Sequence, residues 1–118
     1  MPGQSKHFVI IGGGPAGTAC ATHAARFGAS VTLIEKDIVG GAAHLLDCIP
    51  SKAMIATGGA MNQMQDALDM GLAKVDVELD FAALRDRIKS IENRLESSVS
   101  KLLESQGVTI IEGAGRMT

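Results

Sequence analysis

Tryptophan and tyrosine are absent from this sequence and phenylalanine occurs only three times, which leaves almost nothing to stack on nucleic-acid bases. An excess of one charge is also missing. The 11 basic and 13 acidic residues give a net charge of −2, no electrostatic footprint for nucleic acid or an anionic membrane surface. No apolar run reaches bilayer-spanning length, and the stretch before Phe8 is too short and polar for a secretory signal. A cytoplasmic protein without an integral membrane segment is expected. The two cysteines, Cys20 and Cys48, are too few and too far apart for a disulfide framework or a zinc cluster. No metal site is expected, and a reducing compartment fits.

What is present is a chain of 118 residues with 46% hydrophobic content, enough for one globular domain with a modest core. The apolar run His7 to Ile11, stopped by glycines, predicts a strand buried on both faces of a parallel sheet. Pro15 to Phe27 is rich in alanine, with Pro15 in the first turn and Gly28 as the stop, and predicts a helix that can lie close to a sheet. Val31 to Glu35 is a second strand, completing a β-α-β unit with a right-handed crossover. A helical stretch over Ala43 to Ala67 is interrupted by Pro50, which pushes Ile49 away from α geometry and implies a kink or two segments. Val75 to Leu79 alternates and could be extended. Asp80 caps a long helix to Gln106, with Leu84, Ile88, Ile91, Leu95, Val99 and Leu102 on a buried face. Val108 to Ile111 is a third strand, and the methionines at 54, 61, 64 and 70 read as adaptable core. The fold class is α/β, a Rossmann-like βαβ unit with three parallel strands, incomplete as a domain.

Gly12, Gly14 and Gly17 form G-x-G-x-x-G directly after a strand and at the mouth of a helix. Gly12 permits the tight turn, Gly14 lets backbone approach a pyrophosphate, and Gly17 lets helix and strand pack closely. The helix amino terminus, at Pro15 and Ala16, then presents free N–H groups to phosphate. Glu35, followed by Lys36, stands where an acid hydrogen-bonds a ribose hydroxyl and repels a 2′-phosphate. These residues predict dinucleotide binding with a free ribose, as in FAD or NAD. A glycine-rich turn of another α/β protein, with Glu35 a solvated strand end, is the plainer alternative.

The stretch Gly40-Gly41-Ala42-Ala43-His44-Leu45-Leu46-Asp47-Cys48-Ile49-Pro50-Ser51-Lys52 resembles the redox-active region of the pyridine nucleotide-disulfide oxidoreductases, the lipoamide dehydrogenase and glutathione reductase group, with the pattern G-G-T-C-x4-C-I-P-S-K. The resemblance implies that Gly40, Gly41 and Ala42 pass close to the FAD pyrophosphate. It also implies that Cys48 occupies the flavin-proximal cysteine position and that Lys52, held by an acid, lies near the flavin N5, where an ammonium stabilises charge on the reduced ring. Gly113-Ala114-Gly115 resembles the loop at the adenine end of FAD, with a simple turn as the alternative.

One departure governs the chemistry. Ala43 stands where the family's other cysteine belongs, so the resolving partner of a thiol-disulfide relay is lacking. Cys48 is then either the flavin-proximal thiol or a small buried packing residue. What the resemblance leaves is hydride transfer from NAD(P)H through FAD to an acceptor that needs no sulfur exchange, and the G-G-A-A-x-L-x-D-C-x-P-S-K form looks like the NAD(P)H:quinone reductase branch. Alternatives are a dihydrolipoyl dehydrogenase-like or transhydrogenase flavoprotein, the NAD-binding domain of an ordinary dehydrogenase, or a non-catalytic nucleotide-binding module. The family's chains are far longer. Residues 1–118 are therefore expected to be the amino-terminal portion of the FAD-binding domain of a truncated chain, with strand order 3-2-1 leaving the first strand at an edge. The resemblance implies that the NAD(P)-binding and dimerisation domains lie outside these residues and that the full-length protein is a homodimer. His7, His23 and His44 read as surface or helix-face residues, His44 being nearest the presumed flavin region.

Overall fold

The computed structural model describes residues 6–67, 69–73 and 76–117. The chain runs β1 (His7–Ile11), α1 (Pro15–Arg26), β2 (Ser30–Glu35), a π-helical turn (Ala43–Cys48), α2 (Ile49–Asp66), α3 (Phe81–Ser105) and β3 (Thr109–Glu112). The strands form one parallel sheet in the order β1-β2-β3, with Val9 opposite Thr32 opposite Thr109 and Ile11 opposite Ile34 opposite Ile111. This is the expected order, with β1 at an edge.

Both crossovers step the same way across the sheet, so right-handed connections lay α1 and α3 on one face. Val31 and Leu33 of β2 point to that face, Leu33 being fully buried, and meet Ala21, Val39, Leu103 and Val108. Ile10 and Ile110 flank this cluster, and Ala24 and Ala25 keep α1 close. Burying a leucine completely stabilises by about 1.5–3 kcal/mol, so Leu33 and Leu103 anchor the fold.

The opposite face is open in this chain, and this corrects the expectation for β1. Val9 is 60% and Ile11 50% exposed, not buried on both sides. The reason is topological: no described element crosses to that face. The methionines are corrected too, because Met54, Met64 and Met70 are exposed. Helix α2 packs along α3 and the π turn and buries no residue of its own.

The expected two segments are the π turn and α2, which meet at Ile49, but Ile49 keeps α geometry (φ −71°, ψ −49°), and Pro50 lies in the first turn of α2, where a proline is tolerated. Residues 43–66 are one continuous helical run with a π-to-α junction at Ile49. The extended segment expected at Val75 to Leu79 has its first residue outside the described residues, and residues 76–79 pair with no strand. In α3 the Asp80 carboxylate accepts from the N–H of Ala82 and Ala83 at 2.9 and 3.0 Å, the expected cap. Its buried stripe is shifted, however: Leu103 is fully buried and Leu102 is 52% exposed. Leu102 instead lines a groove of about 330 Å³ with Thr18, Ala19 and Thr22 of α1.

Candidate functional site

Three loops at the carboxyl ends of the strands converge. The Gly12 N–H donates to the Ile34 carbonyl at 2.8 Å, the Gly40 N–H to the Gly13 carbonyl at 2.8 Å, and the Gly113 N–H to the Glu35 carbonyl at 2.7 Å. The loop after β1 is thereby fixed to β2 on one side and to the Gly40-Gly41 loop on the other. Chain ends of parallel strands are where open α/β sheets hold their ligands.

The glycines are demanded by close approach. A Cβ on Gly17 would meet the Gly12 carbonyl oxygen, and one on Gly41 would stand 3.0 Å from both Gly14 Cα and Pro15 Cδ. Gly12, Gly40 and Gly41 also hold positive φ values of 102°, 108° and 94°, a region side chains disfavour. The result is a trough of bare backbone at the start of α1. Gly14 caps that helix with no side chain on its N–H groups, so Pro15, Ala16 and Gly17 open a helix whose first-turn donors lack intrahelical acceptors.

Glu35 ends β2 beside the trough. Its Oε2 accepts from the Gly13 N–H at 2.6 Å and its Oε1 from the Asp37 N–H at 2.8 Å. Burial raises its pKa, but hydrogen bonds from the N–H groups of Gly13, Asp37 and Lys36, together with the Lys36 charge, outweigh burial and hold the carboxyl below its ordinary value of 4.5. Glu35 and Lys36 line a cavity of about 300 Å³ with Ile11, Gly12, Ile34 and the loop Gly113-Ala114-Gly115. A second hollow of about 270 Å³ is lined by Pro15, Thr18, Gly40, His44, Leu45, Leu95 and Val99.

The structure thus brings together Gly12, Gly14, Pro15, Ala16, Gly17, Glu35, Lys36, Gly40, Gly41, Gly113 and Ala114, with Ala42 following directly in the chain. Cys48 and Lys52 stand apart on the helical run, both exposed. Cys48 closes the π turn and Lys52 lies four residues on in the first turns of α2, so the two share a helix face. The buried-packing alternative for Cys48 is corrected by its exposure, and Cys20 is likewise free and exposed. Among the described residues no acid forms an ion pair with Lys52, whose neighbours three and four positions away on the helix are Cys48, Ile49, Ile55 and Ala56. Sequence reasoning missed Gly13, which is buried and donates to Glu35; Gly115, the last residue of the expected loop after β3, packs so that a Cβ there would lie 2.9 Å from Ile11. Gly13 was visible as the middle of a three-glycine run.

Fold and site together define a Rossmann-like α/β unit with a glycine cradle at the strand ends. Residues 6–118 match the family described as pyridine nucleotide-disulphide oxidoreductase, and the chain belongs to that family. It is 38% identical over 104 residues to dihydrolipoyl dehydrogenase of Halobacterium salinarum, covering 88% of this chain and 22% of the relative. Against dihydrolipoyl dehydrogenase of Bacillus subtilis it is 35% identical over 105 residues, 89% of this chain and 22% of the relative. Among solved structures, LpdA from Mycobacterium tuberculosis superposes with a TM-score of 0.86 at 34% identity, covering 96% of this chain and 24% of that one. The chain therefore spans under a quarter of the length of these relatives.

Proposed function

We propose that this chain is the FAD-seating part of a flavoprotein oxidoreductase that, as a full-length protein, passes hydride from NAD(P)H through the flavin to an acceptor. The observation that carries the reading is the side-chain-free trough at Gly12, Gly14, Gly17 and Gly41 lying beside one ionised carboxylate, Glu35. Both halves fit the cofactor. The first-turn N–H groups of α1 face a diphosphate, and the remaining lone pairs of Glu35 accept from ribose hydroxyls, with the cavity at Gly113 and Ala114 taking the adenosine end. Gly40, Gly41 and Ala42 would lie close to the diphosphate. When bound, the flavin supplies hydride acceptance and release. Lys52 would place a cation, and Cys48 a thiol, on the helix face toward the flavin ring. NAD(P)H would bind through a domain outside these residues, and a homodimer is the proposed assembly of the full-length protein.

For the acceptor, the names of the relatives support a dihydrolipoyl dehydrogenase-like flavoprotein. A transhydrogenase form of that reading needs no thiol pair, because hydride passes directly to a second nicotinamide. A quinone is the second reading, favoured by Ala43, which gives Cys48 no thiol to pair with. The protein produced from its own gene is assayed for bound flavin, then for NAD(P)H oxidation with lipoamide, a nicotinamide analogue and a quinone as acceptors. Bound flavin with turnover is the expected result, the active acceptor choosing between the readings. Protein that binds no flavin overturns the proposal.

A further inference from the structure

The Glu35 carboxylate does more than face a cavity. Each of its oxygens is engaged by a different backbone segment, Oε2 by the Gly13 N–H at 2.6 Å and Oε1 by the Asp37 N–H at 2.8 Å, so two points of attachment fix its plane. Gly13 is buried, and a buried N–H without an acceptor is costly. The same peptide unit region is held from the far side, where the Gly13 carbonyl accepts from the Gly40 N–H at 2.8 Å. Space is reserved as well: a Cβ on Gly13 would sit 3.2 Å from the Cβ and Oε2 of Glu35. A short hydrogen bond to an ionised acceptor is among the stronger polar contacts a loop can make.

We propose that Glu35 is the positioning residue of the glycine loop, holding the Gly12–Gly14 backbone in its diphosphate-facing form independently of any contact with ribose. The inference rests on the dinucleotide reading above and adds a second role for the same side chain. The carboxylate orients the loop through Gly13, the loop sets the mouth of α1, and Gly40 locks the arrangement from behind. A residue that served only the ribose would leave the diphosphate end untouched when removed.

The test separates the two roles with ADP and 2′,3′-dideoxy-ADP, which lacks both ribose hydroxyls. Affinities are measured by calorimetry on the protein produced from its own gene and on Glu35→Ala and Glu35→Gln, with thermal melts confirming folded material. Glu35→Ala is expected to weaken dideoxy-ADP about tenfold or more, the scale of a lost charge-assisted hydrogen bond. Glu35→Gln, which keeps one acceptor oxygen for Gly13, restores part of the loss. Unchanged dideoxy-ADP affinity in Glu35→Ala, with ADP alone weakened, overturns the positioning role and leaves a ribose contact. Should Glu35→Ala not fold, Gly13→Ala crowds the same contact while keeping the carboxylate. A severalfold loss of dideoxy-ADP affinity is expected there, and none overturns the proposal. Failure of the unsubstituted protein to bind ADP at all rejects the dinucleotide reading itself, and this inference with it.

Discussion

A methyl group on Gly17 would overlap the carbonyl oxygen of Gly12. The two glycines of the loop are therefore spatially coupled, one making the turn after β1 and the other letting α1 press against it. Gly17→Ala must displace backbone rather than a flexible side chain, and overpacking of that kind costs about 1–3 kcal/mol or more. A lowered denaturant midpoint is expected, and an unchanged midpoint would mean that the helix does not approach the loop this closely.

The low pKa of Glu35 makes a pH-dependent contribution with a definite sign. Its folded-state pKa lies below the ordinary 4.5, so its stabilisation is complete above the unfolded value and is lost as pH falls through the folded one. Thermal melts of the unsubstituted protein and of Glu35→Gln should lie apart near neutral pH and converge in the acid range. Curves that stay parallel from neutral to acid would remove Glu35 from the pH dependence.

The two faces of the sheet predict a contrast. Leu33→Ala empties a fully buried position and is expected to cost about 2–5 kcal/mol. Val9→Ala on the open face of this chain is expected to cost less than about 1 kcal/mol, since that side chain keeps most of its exposure. Urea unfolding of both variants in the 118-residue chain checks the pair, and equal losses would mean that the open face is covered.

Asp80 offers a local test at the other end of the molecule. Removing the acceptor of the Ala82 and Ala83 N–H groups by Asp80→Ala is expected to cost about 1 kcal/mol. Asp80→Asn, which keeps an acceptor oxygen, should recover most of it in the same unfolding assay.

Much of this was legible in the sequence because the signals were local. The apolar run before Gly12, the alanine-rich helix, Glu35 at a strand end and the Asp80 cap each depend on a few neighbouring residues, and each element forms within a residue or so of its expected bounds. What was not legible depended on partners distant in sequence. Which face of β1 is covered follows from both helices lying on one side, and the run of apolar letters His7 to Ile11 carries no information about that. The proline at position 50 argued for a kink or two segments, and nothing local marked the first of them as a π turn. In α3 the choice of Leu103 over Leu102 as the buried residue depends on how the last turn meets β2 and β3, which adjacent leucines cannot specify. Gly13 went unread because the triplet spacing assigns it no role, although its contact with Glu35 gives it one.

The decisive measurement is titration of the purified protein with FAD, followed by quenching of flavin fluorescence and repeated with ADP as competitor. Saturation at a single flavin per chain, displacement by ADP, and loss of binding in Gly41→Ala, whose Cβ would press on Gly14 and Pro15, are the expected results. Flavin fluorescence that remains unquenched, or quenching that ADP does not reverse, would contradict a dinucleotide seated across the glycine trough beside Glu35.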